Sequence, residues 1–345
     1  VVAGDDAGAQ ARRLAEGAGW PLLAEPSSGS RTGDLALRCY RLLLDPERGL
    51  DGLAAGIERV VVVGKPTLSR PVTALLARAD VEVVSVPARG VWAERPYPVD
   101  LVATHPTVPG PDTAGAEWLD AWQEADRSVA RRLDALLRAE PDLTPYDVVG
   151  AVSRAVPPEG LLVVGPSSPV RDLDLMARPT PVGSRRKTVA SRGLSGIDGM
   201  VSTAIGVALA REVAHPGGRN LALLGDVTFL HDANGLVLGP GQPVPDLTIV
   251  VVNDDGGSIF TMLEQGAAEH ADRFEALFGT PHGVDLAALC AATRTPHLRV
   301  TGLPELEQAL AMPNGGLEVV EAVVRRDDRR DLDERIRALG RREPG

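Results

Sequence analysis

Cysteine is nearly absent: the chain of 345 residues has two, Cys39 and Cys290, far apart and each in a helix-like stretch. That placement excludes a disulfide framework and a zinc pair, and the burial preference of cysteine makes both expected to be buried free thiols. Long apolar runs are missing too. Runs such as residues 221–224 and 249–252 fall far short of the roughly 18 residues a membrane helix needs, so a soluble, cytoplasmic protein with no membrane partner is expected. Positive charge is in deficit, with 36 Lys and Arg against 47 Asp and Glu and a formal net charge of -11. No basic stripe runs through the chain, which argues against nucleic acid as a partner. There is no G-x-G-x-x-G fingerprint, since GDDAG at residues 4–8 reads as a strand-end turn, and no repeat of fixed period. The six histidines show no spacing for zinc or a triad; His231 beside Asp232 reads as packing or surface.

What the chain does have is alternation. A length of 345 with 44% hydrophobic residues can bury two ordinary cores, so two domains are expected. In RVVVVGKPTLSRPVTALLARADVEVVSV, residues 59–86, a strand ends at Gly64 and another begins near Val81; strand, helix, strand implies a parallel sheet. The expected fold class is α/β, with two doubly wound parallel-sheet domains: a Rossmann-like domain over 1–110, a linker and connecting helix over 111–143, and a second domain over 144–345. HPTVPGPDTAG at 105–115 reads as the linker, and Trp118, Trp122, Val129, Leu133 and Leu137 mark one face of a helix over 117–139. The second domain repeats the pattern through GLLVVG, NLALLGD, LTIVVVND and GLEVVEAVV, and the charged DDRRDLDERIRAL after it is expected to be a solvated helix.

Two of those strands end in acid. Asp226 closes NLALLGD and Asp254 closes LTIVVVND, with one predicted crossover helix between. In an open parallel sheet, ligands bind beyond the carboxyl ends of the strands, and a right-handed crossover can bring both ends to one rim. Each half alone is ordinary turn chemistry. As a pair they would repel, and a hard divalent cation relieves that: Mg²⁺ takes oxygen ligands and fills its remaining positions with phosphates and water. Gly256 and Gly257 then let the backbone approach closely, offering a carbonyl to the metal and N–H donors to a diphosphate.

Gly225-Asp226 followed by Asn253-Asp254 resembles the signature of the thiamine-diphosphate decarboxylases and synthases. SRGLSGIDGMVSTAIGVALA, LLGDVTFLHDANGL and IVVVNDDGGSIFTMLEQG are similar, in order and wording, to the 2-succinyl-5-enolpyruvyl-6-hydroxy-3-cyclohexene-1-carboxylate synthases of menaquinone biosynthesis, in their actinobacterial form. The resemblance is specific mainly over 160–285; residues 1–110 resemble the family's central domain more loosely. It implies thiamine diphosphate with Mg²⁺ or Mn²⁺ as cofactors, the metal held by the Asp226 and Asp254 side chains and the Gly256 carbonyl. Asp254 departs from the usual Asn, and Val227 from the superfamily's Gly; neither change removes a ligand. The cofactor would lie along Ser195, Gly196, Ile197, Gly225, Val227, Thr228, Gly257, Ser258 and Ile259, with Ile197 as the apolar wedge that bends it.

The implied reaction decarboxylates 2-oxoglutarate and adds the succinyl unit to isochorismate. Both substrates carry carboxylates, which arginine holds well. Arg171 and Arg192, as catalytic and substrate-binding groups, and Ser167 match family positions, and Ile259, Phe260 and Leu263 match an apolar wall. Arg70 corresponds poorly to a basic residue of the family's central domain. The activating glutamate of such enzymes lies on a pyrimidine-binding domain that is not recognised here, and the chain opens mid-fold on VVAGDD. The resemblance therefore implies the central and diphosphate-binding portion of a longer enzyme, inactive alone and a homodimer or tetramer when complete. Another thiamine-diphosphate lyase or ligase, of acetolactate synthase or benzoylformate decarboxylase kind, and a non-catalytic binding module retaining the fold remain as alternatives.

Overall fold

The computed structural model describes residues 1–45, 52–87, 95–104, 110, 113–184 and 186–341. The chain divides into two compact units, one formed by Val1–Arg138, Ala177–Arg185 and Glu334–Gly345, the other by Ala139–Met176 and Arg186–Asp333. Most of the expected linker lies outside the described residues. The helix expected after it is present as Thr113–Arg138, with Trp122, Val129, Leu133 and Leu137 buried.

The first unit is built on strands β1 (Val2–Ala3), β2 (Leu23–Ala24), β3 (Arg59–Val63), β4 (Glu82–Val86) and β5 (Leu101–Val102). They form one sheet in the order β2-β1-β3-β4-β5, every pair parallel. Its β-branched strands need no alternation because both faces are covered; Val61, Val63, Val84 and Val86 pack with Ala11, Leu14 and Ala15 of the helix Ala9–Ala18. Arg70 opens the helix Arg70–Leu76 in this unit, at an exposed position.

The second unit carries β6 (Leu161–Val164), β7 (Lys187–Ala190), β8 (Asn220–Gly225), β9 (Leu247–Asn253), β10 (His297–Val300) and β11 (Leu317–Val323). Their order is β10-β11-β9-β8-β6-β7, again with parallel pairs throughout. Within this unit the chain starts at β6, one strand in from the edge, goes out to the edge strand β7, then returns to the other side of β6 and winds the opposite way. The reversal at β6 and β8 is the kind of point where such sheets bind ligands. Leu224, Phe229, Ile249, Val251 and Val319 form the core with Val201 and Ala204 of the helix Met200–Ala214. Both cysteines are buried free thiols, as their burial preference predicts. Among the described residues no helix is long and apolar enough to cross a membrane.

Two expectations are corrected. The crossover from β8 to β9 is not a full helix but a short one, Asp226–Leu230, followed by the 3₁₀ turn Ala233–Leu236; the rest of the connection, a stretch rich in glycine and proline, reaches Leu247 as irregular chain. His231 ends that short helix exposed. The charged C-terminal helix, Arg329–Ala338, is present, yet it is not solvated all round: Arg329, Leu332, Asp333 and Ile336 are buried. Their spacing of three and four marks one helical face, which the surrounding charge disguises.

Candidate active site

Register decides whether the two acids meet. Gly225 on β8 lies beside Val252 on β9, so Asp226, just past β8, and Asp254, just past Asn253 at the end of β9, leave the sheet at the same rim one residue apart in register. Asp226 and Asp254 line one cavity of about 170 Å³. The same wall holds Ser167, Ile197, Gly225, Val227, Thr228, Gly256, Gly257, Ser258, Ile259 and Phe260, contributed by the segments that follow β6, β7, β8 and β9. Five further sequence candidates, Arg171, Arg192, Ser195, Gly196 and Leu263, are not among its lining residues. Arg171 turns its Nη1 to the Ser167 carbonyl at 2.6 Å, one helical turn back, and Arg192 is buried.

Asp226 is fixed on every side. Its Oδ1 accepts the Val227 N–H at 2.7 Å, and its Oδ2 accepts the Gly256 N–H at 2.9 Å. His282 Nε2 lies 3.2 Å from the same Oδ2. Burial nevertheless raises the Asp226 pKa, with the hydrogen bonds from Val227, Gly256 and His282 opposing it. Asp254 is pushed up to about 7, first by burial and then by the neighbouring Asp226 carboxylate, against the Ser258 hydrogen bond and the charges of Arg329 and Arg326. Two carboxylates that both lose water and face each other cannot ionise together near neutrality without a counter-charge.

The glycines after Asp254 have a second reason beyond ligand approach. Gly256 has φ 139°, and a Cβ there would lie 2.1 Å from the Gly279 carbonyl oxygen; at Gly257 a Cβ would lie 2.2 Å from that of Phe278. The segment ending in Gly279 crosses the strand end at backbone contact, and Gly257 N–H donates to Gly279 O at 2.7 Å. Side chains at either position would push this crossing away.

Three site residues carried no sequence signal that reasoning by spacing could use. His282 arrives on the loop beyond that crossing. Asp172 and Arg329 form a buried ion pair in the cavity wall, Nη2 to Oδ1 2.6 Å, and the guanidinium stacks over Tyr146 at 4.4 Å. Arg329 was legible only as one member of the helical face noted above. Among the described residues no three His, Cys, Asp or Glu side chains are grouped to hold a metal.

Known proteins place this geometry. Residues 174–322 match the family described as thiamine pyrophosphate enzyme, C-terminal TPP binding domain, a stretch that includes both acids, both glycines and Ile197. The chain is 67% identical over 98% of its length to a 2-succinyl-5-enolpyruvyl-6-hydroxy-3-cyclohexene-1-carboxylate synthase of a Nocardioides species, of which it covers 63%. It is 48% identical over 99% of its length to the synthase of that name from Kineococcus radiotolerans, covering 60% of it. The chain thus spans less than two thirds of the length of these relatives. In fold it is similar to the crystal structure of benzoylformate decarboxylase from Polynucleobacter necessarius, with a TM-score of 0.59 at 18% identity over 93% of this chain and 61% of that one. The parallel sheets, the paired acids at one rim and the sequence likeness agree: residues 174–322 match a thiamine-diphosphate-binding domain, and the chain is similar over nearly its whole length to part of the 2-succinyl-5-enolpyruvyl-6-hydroxy-3-cyclohexene-1-carboxylate synthases.

Proposed function

We propose that this chain is the cofactor-binding part of a cytoplasmic, homo-oligomeric synthase that uses thiamine diphosphate and Mg²⁺ to decarboxylate 2-oxoglutarate and join the remaining four-carbon unit to isochorismate. One observation carries the reading: Asp226 and Asp254 follow the ends of adjacent parallel strands at one rim and line one cavity. The cation fits the donor set. Two carboxylates of raised pKa lie together in a buried pocket, and Mg²⁺ requires few protein side chains because phosphate oxygens and water complete its shell. Asp226, Asp254 and the carbonyl of Gly256 would hold it.

When bound, thiamine diphosphate supplies the carbon nucleophile and the electron sink that decarboxylation of an oxo acid requires. The protein's part is position and environment. Val227, Thr228, Gly257 and Ser258 line the cavity beside the two acids, where the diphosphate would lie, and Ile197 of the same lining would support the cofactor together with Ser195 and Gly196. Ile259 and Phe260 line the same cavity and would present apolar surface beside it, with Leu263 further along the same segment. Ser167, Arg171 and Arg192 would take the substrate carboxylates, since a guanidinium matches a carboxylate with two parallel hydrogen bonds.

The test is a thermal shift with Mg²⁺ and thiamine diphosphate, separately and together, on the chain and on Asp226→Ala. Stabilisation that needs both ligands and disappears in the variant is the expected result. Equal stabilisation of both proteins would remove the acids from the site.

A further inference from the structure

We infer that His282 is a positioning residue for Asp226, holding that carboxylate in the orientation in which it serves the metal; the inference rests on the reading of the site given above. The imidazole has a defined tautomer. Val284 N–H donates to Nδ1 at 3.0 Å, so Nδ1 carries the lone pair and the ring proton sits on Nε2, which lies 3.2 Å from Asp226 Oδ2. The ring is therefore a donor to the carboxylate and has no lone pair to offer a cation.

The loop that carries the ring is itself anchored to the same strand end. Asp255 has φ 59°, a left-handed conformation that a non-glycine residue adopts only at a cost in strain. In that conformation its Oδ1 accepts the N–H groups of His282 at 3.1 Å and Gly283 at 2.8 Å. Its own N–H donates to Asn253 Oδ1 at 3.0 Å, and its carbonyl accepts Arg326 Nη1 at 2.6 Å. The second Asp of the Asn253-Asp254-Asp255 run thus has a task distinct from the first: Asp254 faces the cavity, while Asp255 fastens the loop that delivers His282 to Asp226. His282 is mostly buried, with 14% of its side chain exposed, so water does not replace the bond freely. Partners of this kind behind a metal ligand fix its orientation, and removing them typically weakens metal binding about 10–100-fold.

The experiment measures Mn²⁺ binding, by its electron paramagnetic resonance signal, to the full chain in the presence of thiamine diphosphate. His282→Ala is expected to weaken Mn²⁺ by about 10–100-fold. His282→Gln, whose Nε2 can replace the ring donor, is expected to restore affinity to within about threefold of wild type, an estimate from one retained hydrogen bond. A loop that merely filled space would not be rescued by an amide in that way. If His282→Ala binds Mn²⁺ like wild type while Asp226→Ala does not, the inference falls and the metal site stands. If Asp226→Ala also binds like wild type, or the wild-type chain takes up no Mn²⁺, the site reading falls and the inference with it. Failure of Gln to rescue a folded, weakened Ala variant also overturns it.

Discussion

Replacing Arg329 by Met is the most demanding test of the packing beneath the site. The guanidinium has 1% side-chain exposure and its partner Asp172 has 4%. Burial alone would lower the Arg329 pKa, but the Asp172 carboxylate, with Tyr146 and Asp333 nearby, more than reverses this and raises it. Methionine keeps the apolar stem and deletes the charge, leaving Asp172 as a buried carboxylate without its guanidinium. Breaking a buried pair on one side costs about 3–5 kcal/mol, whereas replacing both members by apolar groups is often neutral or stabilising. For a unit of under about 200 residues, each kcal/mol moves the midpoint by roughly 2–4 °C, so Arg329→Met is expected to lower it by roughly 6–20 °C. Arg329→Met/Asp172→Leu should recover most of the loss.

The assay can separate the two units. All four tryptophans, Trp20, Trp92, Trp118 and Trp122, fall within Val1–Arg138 of the first unit. Tryptophan fluorescence therefore reports that unit, and hydrogen exchange of the amides of β8 and β9 reports the other. The Arg329→Met effect should appear in the exchange of β8 and β9. A cost below about 1 kcal/mol, the value typical of exposed pairs, would show that solvent reaches the pair and would refute the reasoning. So would a double variant less stable than the single.

Other substitutions probe separate features. Gly256→Ala should destabilise the second unit by several kcal/mol, because the new Cβ would lie 2.1 Å from Gly279 O at a φ of 139° and strain adds to overpacking; urea midpoints check this, and a wild-type midpoint would mean that the crossing segment yields. Asp126 accepts N–H groups from Arg38 and Cys39, yet burial raises its pKa. The folded state then binds the proton more tightly than the unfolded one, so the cost of ionising Asp126 is absent below the unfolded value of about 3.9 and accrues as pH rises from there through the raised folded value. Asp126→Asn should therefore flatten the decline in stability across that window, whatever its constant offset, and an unchanged slope in urea titrations at several pH values would count against it. Burial also pushes the thiols up, Cys290 to about 11 and Cys39 to about 12, so both should resist a thiol reagent such as DTNB at pH 8 in the native chain and react together on unfolding; rapid labelling of either thiol in the folded chain would contradict their burial.

The parallel sheets were readable because a strand covered on both faces writes itself as an unbroken β-branched run: Val60 to Val63 and Ile249 to Val252 need no partner to be recognised. The meeting of Asp226 and Asp254 was readable for a related reason, since a parallel sheet sends every strand end to the same rim. What the sequence hid is the part of the site made by segments that return to the rim after leaving it. His282 follows β9 after a segment, 258–279, of 3₁₀ and π turns and one short helix, Ala271–Phe274, in which no sustained hydrophobic period exists, and its neighbours Pro281 and Gly283 read as an ordinary loop. Arg329 was hidden differently, by its surroundings. In a helix whose other residues are mostly charged, periodicity by hydrophobicity finds Leu332 and Ile336 but discounts an arginine at the same face. An inward arginine becomes expected only once an acid is known to await it, and Asp172 lies on another helix entirely, Ser168–Met176. The general consequence concerns Asp254. An aspartate there, where the resemblance implies asparagine, looks like a local exchange of amide for acid, yet it adds a negative charge to a pocket already holding Asp226, and the charges that oppose its raised pKa, Arg329 and Arg326, sit in the C-terminal segment far along the chain. In metal-free buffer at pH 8, Asp254→Asn should raise the melting midpoint of the second unit by relieving that repulsion, and the gain should shrink when Mg²⁺ and thiamine diphosphate are added. A variant less stable than wild type under both conditions would mean that the pocket is arranged around two negative charges even without a cation.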